Sequence, residues 1–190
     1  MSPGTFHLIV IAVILIVPLA YVLGTYNRLV KVRFTIRESW SNVDTELKRR
    51  YDLIPNLVST VRGYAAHERG VLEAVVKARQ AAVASTGSPA SQAKDENELV
   101  RQLRSLLAVV ERYPDLKASQ SFLALQHELV NTEDRIQAAR RFYNGNVRAM
   151  NVIVQSVPSN LIAGLFGFKE EEYFEIEDLG MRAPVQVSLT

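Results

Sequence analysis

The sequence predicts an all-α protein, with one N-terminal transmembrane helix followed by an up-and-down bundle of long antiparallel helices. Three observations lead there. Residues 1–27 carry no formally charged side chain and hold a long apolar run. Beyond them, apolar residues recur at steps of three and four, the spacing of one face of a helix. Finally, no stretch combines strand alternation with regularly spaced turns, and no repeat of 20 to 50 residues is visible.

Composition narrows the function classes. The 190 residues fit one globular domain plus an extra segment, and 22 Lys and Arg balance 20 Asp and Glu, so no global field points to nucleic acid. With no cysteine, disulfides, thiol catalysis and cysteine-based metal sites are excluded. Three histidines remain, His7, His67 and His127.

The anchor comes first. Leu8, Ile9, Val10, Ile11, Val13, Ile14, Leu15, Ile16, Val17, Leu19, Val22 and Leu23 form a run whose one break is Pro18. As a helix, residues 6–24 rise roughly 28 Å, close to the hydrocarbon thickness of a bilayer. The seven residues before the run have no Lys or Arg, and no clear small-x-small site follows, so an uncleaved anchor is expected rather than a signal peptide. Its partner is the lipid bilayer. Arg28, Lys31, Arg33 and Arg37 crowd the C-terminal flank, which predicts the N-terminus outside and the bulk of the protein in the cytoplasm, at a bacterial inner membrane. Between Leu23 and Leu29 only Gly24 and Asn27 weaken a helix, so span and bundle are expected to run on as one nearly continuous rod.

The bundle is expected over residues 28–157. Its first stripe is Leu29, Val32, Ile36, Trp40, Val43 and Leu47, continued by Ile54, Val58, Val61, Ala65, Leu72, Val75 and Val76. Pro55 interrupts it, and predicts either a kink or a fresh helix capped by Asp52. Residues 84–94, punctuated by Gly87 and Pro89, read as a loop. Leu99, Leu103, Leu106, Leu107 and Val110 mark a shorter helix that stops at Tyr113-Pro114. From Phe122 to Val154 apolar positions recur at steps of three and four without a gap, which describes a helix of roughly 50 Å packed in coiled-coil-like fashion along a partner. Residues 158–180 are apolar and then acidic, and complete the bundle; residues 181–190 read as an extended tail.

Several motifs resemble one family together and in order, from about residue 26 to 174: Tyr26-Asn27-x-Leu29-Val30, Trp40, Arg50-x-Asp52-Leu53-Ile54-Pro55-Asn56-Leu57-Val58, Tyr64-Ala65-x-His67-Glu68, Tyr113-Pro114-Asp115-Leu116-Lys117-Ala118, Thr132-Glu133-x-Arg135-Ile136, Ala139-Arg140, Tyr143-Asn144 and Pro158-x-Asn160-x-Ile162-Ala163. The chain is similar to the LemA proteins of bacteria. That resemblance implies a four-helix bundle behind an N-terminal membrane segment, and a membrane-associated role sometimes linked to membrane proteases or to organelle formation. Met150 and Val157 depart from the family pattern, which tends to an aromatic there.

No catalytic motif is complete. His67-Glu68 and His127-Glu128 begin a zinc-protease signature, but Val71 and Asn131 stand where the second histidine belongs, and no Glu-x-x-His pair exists for a bundle-core metal site. Gly164-x-x-Gly167 is too short for a dinucleotide fingerprint. Lys48-Arg49-Arg50 reads as a solvated face near an anionic leaflet. Neither enzyme activity nor a cofactor is expected.

Polar residues near the buried stripes carry more information. Asn144 and Asn151, two turns apart beside Tyr143, are expected to meet Asn56 and fix helix register. Arg50, Asp52, Glu133, Arg135 and Arg140 are expected to form interhelical ion pairs. The leading reading is a membrane scaffold or adaptor, self-associating as a homo-oligomer or binding a membrane protein such as a protease. The alternative is a lipid-contacting, membrane-remodelling protein that inserts residues 161–168. A metal-dependent hydrolase rests on the His-Glu pairs alone.

Overall fold

The computed structural model describes residues 3–177, 179 and 180. The expected tail at 181–190 lies outside the described residues. Six helices follow in order: α1 (Pro3–Tyr64), α2 (Arg69–Ala84), α3 (Pro89–Val110), α4 (Pro114–Lys117), α5 (Gln120–Gln155) and α6 (Ser159–Leu165). The described residues contain no strand, as the all-α reading requires. The chain divides into two compact units, residues 1–39 with 144–171, and residues 40–143 with 172–190; α1 and α5 contribute to both.

In the larger unit the second halves of the α1 stripe, α2, α3 and the first two thirds of α5 enclose one core. Val43, Leu47, Ile54, Val61, Val75, Leu99, Leu103, Leu106, Leu129 and Ile136 are buried in it, at the three-and-four spacing that burial of one helical face demands. Leu116 of the short α4 and Phe122 close one end. In the smaller unit Leu29 and Ile36 of α1, Val147, Met150 and Ile153 of α5, and Ile162 and Ala163 of α6 are buried. Met150 packs fully where the family pattern prefers an aromatic, whereas Val157 is exposed.

Of the two alternatives expected at Pro55, a kink or a fresh helix, the fresh helix is not formed: α1 runs through Pro55 to Tyr64. Proline at 55 has no N–H for the carbonyl of Tyr51 one turn back, normally a loss of about 3 kcal/mol. Arg79 of α2 replaces that donor: its Nε donates to the Tyr51 carbonyl at 2.6 Å. Two further boundaries differ from those expected. The stripe through Ala65 and Leu72 is not one helix; α1 ends and α2 begins at Arg69, across a turn closed by Glu68 N donating to Ala65 O at 3.1 Å. The loop read at 84–94 shrinks to residues 85–88, because Pro89 is tolerated in the first turn of α3.

After α6 the chain has no regular secondary structure; Phe174 and Ile176 are buried in alternation with exposed Glu175 and Glu177, and Leu179 is buried beyond them. This segment has no strand partner for its peptide groups, so side chains serve instead. Asn97 Nδ2 donates to Glu175 O at 3.2 Å and its Oδ1 accepts from Glu177 N at 2.7 Å. Arg140 Nη1 donates to Ile176 O, and Tyr143 Oη donates to Glu172 O at 3.0 Å. Glu172 also accepts from Ala90 N at 3.3 Å, placing an anion at the positive end of α3, where Ser88 makes no side-chain cap.

Candidate functional site

The most concentrated chemistry in the described residues is a charged centre inside the larger unit. Arg50 projects from the α1 stripe one turn after Leu47 and one before Ile54, so it sits in the core with no solvent exposure. Its Nη1 donates to Glu133 Oε2 of α5 at 3.0 Å, and its Nη2 to Glu96 Oε2 of α3. Glu96 occupies the place three before Leu99 on the α3 stripe, and Glu133 four after Leu129 on α5. Both are buried. The other Glu96 oxygen accepts from the Tyr51 hydroxyl. One guanidinium therefore ties three helices together, and its planar fork suits two carboxylates at once.

Electrostatics fix the state of Tyr51. Burial, and then the negative charge of Glu96, push its phenol far above the usual tyrosine range. The hydroxyl stays protonated and donates across the physiological range. Arg50 Nε is buried without a hydrogen-bond partner, so even this network is incompletely satisfied. The centre faces the core on all sides, with each carboxylate engaged by Arg50. The arrangement favours structural specificity over proton transfer or ligand binding.

The basic run expected at the surface is thus split. Lys48 pairs with Asp44 at 2.6 Å and Arg49 with Glu46 at 3.4 Å, both on the α1 surface, while Arg50 turns inward. Of the expected ion-pair residues, the structure brings Arg50 and Glu133 together. Arg135 approaches Glu46 at 4.0 Å, an exposed and weak contact. Arg140 binds the main chain of the C-terminal segment instead of a carboxylate, and Asp52 is exposed.

The asparagine cluster is also rearranged. Asn56 and Pro55 are exposed, because the stripe at Ile54, Leu57 and Val58 leaves them on the outer face of α1. Asn144 is half-buried. Asn151 is buried, but it clamps the Glu171 peptide: its Nδ2 donates to Glu171 O at 3.0 Å and its Oδ1 accepts from Glu171 N at 2.8 Å. Tyr143 packs on Trp40 with ring centroids 5.1 Å apart, and Trp40 in turn meets Phe174 edge-on at 5.2 Å. These residues hold the returning segment rather than the register of two helices.

The histidines are peripheral. His67 and His127 are exposed; His127 Nδ1 lies 3.2 Å from Asn131 Nδ2. Glu68 accepts from Arg112 at 2.8 Å, so neither pair is assembled with a third ligand. Among the described residues no group of three metal-ligating side chains is found.

At its N-terminal end α1 has a segment long and apolar enough to cross a membrane. From Val10 to Leu23 its large side chains touch little else in the protein: Ile14, Leu15 and Ile16 are each more than 60% exposed. So many aliphatic side chains left open on one helix require an apolar medium around it.

A model of the LemA family matches residues 39–189. The magnetosome protein MamQ 2 of Paramagnetospirillum magneticum is 29% identical over 206 aligned residues, covering 93% of this chain and 75% of that protein. MamQ of Magnetospirillum gryphiswaldense is 26% identical, over 82% of this chain and 66% of its own length. Protein LemA of Metamycoplasma hominis is 27% identical, over 74% of this chain and 64% of its own. The family match spans the whole Arg50 centre, the α2–α3 turn and the clamped C-terminal segment, and on it the chain belongs to the LemA family.

Proposed function

We propose that this protein is a non-enzymatic membrane scaffold, held by a single pass through α1 and acting through contacts of its helices with further copies or with other membrane proteins. The observation that carries this reading is the continuity of α1: the apolar segment at 10–23 passes into the bundle helix with no break before Tyr64. An unbroken helix joins the span directly to the residues that follow, which suits a membrane scaffold better than a loosely tethered enzyme. Exposed aromatic side chains such as Phe34 and Phe142 offer anchors for such contacts. The likeness to proteins named for the magnetosome supports a part in an assembled structure.

The basic flank of Arg28, Lys31, Arg33 and Arg37 supports a cytoplasmic bundle with the N-terminus outside, in a bacterial inner membrane. Size-exclusion chromatography with light scattering, in mild detergent, tests the assembly. A defined oligomer or a reproducible complex with a membrane protein is expected. A strict monomer that captures no membrane protein on pull-down contradicts the reading.

A further inference from the structure

The first apolar surface, on α1, leads to a second. Residues 151–168 contain no charged side chain, and α6 lies within them. Its inner side chains, Ile162 and Ala163, are buried, yet its outer ones are apolar too: Leu161 is 71% and Leu165 77% exposed, four residues apart and so on one face. Val157, just before the helix, is 80% exposed, and Phe166, just after it, is also open. The two polar residues that open α6, Ser159 and Asn160, are half-buried, and Ser159 Oγ donates to the carbonyls of Ile153 and Ser156 at 2.8 and 2.9 Å. A helix apolar on both faces belongs between two apolar phases. One is the core; the other is outside the protein.

Its position identifies that second phase. The Phe166 ring lies against Tyr26, with centroids 4.8 Å apart, and Phe168 approaches the same ring at 6.0 Å. Tyr26 is three residues after Leu23, the last aliphatic residue of the apolar run, which places it roughly 4.5 Å further along the helix axis. The headgroup layer on each side of a bilayer is roughly 5 to 8 Å deep. Phe166 therefore falls within that layer, where aromatic rings concentrate. The charge pattern matches: Arg28 is exposed at the outer edge of that layer and Lys31 further out, and the Arg33 guanidinium lies 4.5 Å over the Phe168 ring.

We propose that the outer face of α6, with Val157 and Phe166, is a second membrane contact, seated in the interfacial layer of the leaflet from which α1 emerges. It rests on α1 spanning the bilayer and adds a point of attachment that fixes rotation of the smaller unit about the α1 axis. A single helix resists tilt poorly; two separated contacts define a plane.

The test uses the full chain in vesicles of phosphatidylcholine and phosphatidylglycerol. Because the protein has no cysteine, Leu161→Cys and Leu165→Cys each introduce one site for a polarity-sensitive fluorophore, and Ile14→Cys and Val83→Cys provide references in the span and on an exposed part of α2. The expected result is blue-shifted emission at 161 and 165, with loss of intensity when bromine-labelled acyl chains are included, as at 14 and unlike 83. Water-like, unquenched emission at 161 and 165 beside a quenched label at 14 overturns the α6 contact and leaves the span standing. Blue-shifted emission without bromolipid quenching overturns it in favour of a protein neighbour. An unquenched label at 14 overturns the span and this contact with it.

Discussion

Replacing Arg50 with alanine removes the cation that bridges Glu96 and Glu133, two carboxylates that α3 and α5 hold inside the core. What remains is a pair of buried carboxylates that have lost their shared cation, and the cost of breaking such a group on one side is about 3–5 kcal/mol. An exposed pair of the same composition would lose at most about 1 kcal/mol. For a chain of this size the loss corresponds to a fall of about 6 to 20 °C in the unfolding midpoint. Circular dichroism melts of the full chain in mild detergent read it directly. Arg50→Met combined with Tyr51→Phe, Glu96→Leu and Glu133→Leu replaces the whole centre by apolar groups of similar volume. Because Arg50 Nε is already without a partner, that variant is expected to be as stable as the parent or more so, with looser packing as its cost. A loss below about 1 kcal/mol for Arg50→Ala, or collapse of the fully apolar variant, would refute the reasoning.

Further predictions concern single contacts. The raised Tyr51 phenol is protonated when folded and free to ionise when unfolded, so its stabilisation is complete below about pH 10 and declines as pH rises past that value; Tyr51→Phe should flatten the alkaline arm of a stability profile, and an unchanged arm would count against the assignment. Arg79→Met leaves the Tyr51 carbonyl without its donor and should cost about 1–3 kcal/mol, but much less alongside Pro55→Ala, which restores the helical N–H; additive effects in that double-mutant cycle would reject the compensation. Asn151→Leu removes both bonds to the Glu171 peptide, and amide exchange at residues 171–177 should accelerate while the α2–α3 core stays protected; unchanged exchange would show that the clamp is dispensable.

The residues that announced the fold were those whose partners lie on their own helix. The stripe from Phe122 to Val154 becomes the 36-residue α5 because every step of three or four buries the same face. Arg50 and Glu133 were legible only as ion-pair candidates near the apolar stripes, and Arg50 was also read as part of the solvated Lys48-Arg49-Arg50 face. Glu96 stands on the α3 stripe, yet it lies inside the polar run Lys94-Asp95-Glu96-Asn97-Glu98, where only its distance from Leu99 betrays it. Contacts between distant segments left no such trace. Nothing near Pro55 signals that Arg79 will supply the missing donor, and so the proline read as either a kink or a fresh start. The acidic stretch after Lys169 read by charge, although Phe174 and Ile176 alternate with acids within it; their burial goes with Asn97, Arg140 and Tyr143 gripping the main chain there. The turn at Ala65-Ala66-His67-Glu68 carries neither glycine nor proline, so the apolar period passed over it unnoticed.

The scaffold reading stands on contacts made beyond the chain itself, and crosslinking in native membranes followed by mass spectrometry measures those contacts most directly. The account predicts recurrent crosslinks from exposed lysines and acids of the bundle to a second copy or to a small, reproducible set of membrane proteins. Crosslinks confined to pairs within one chain, at densities where known membrane complexes are captured, would contradict it.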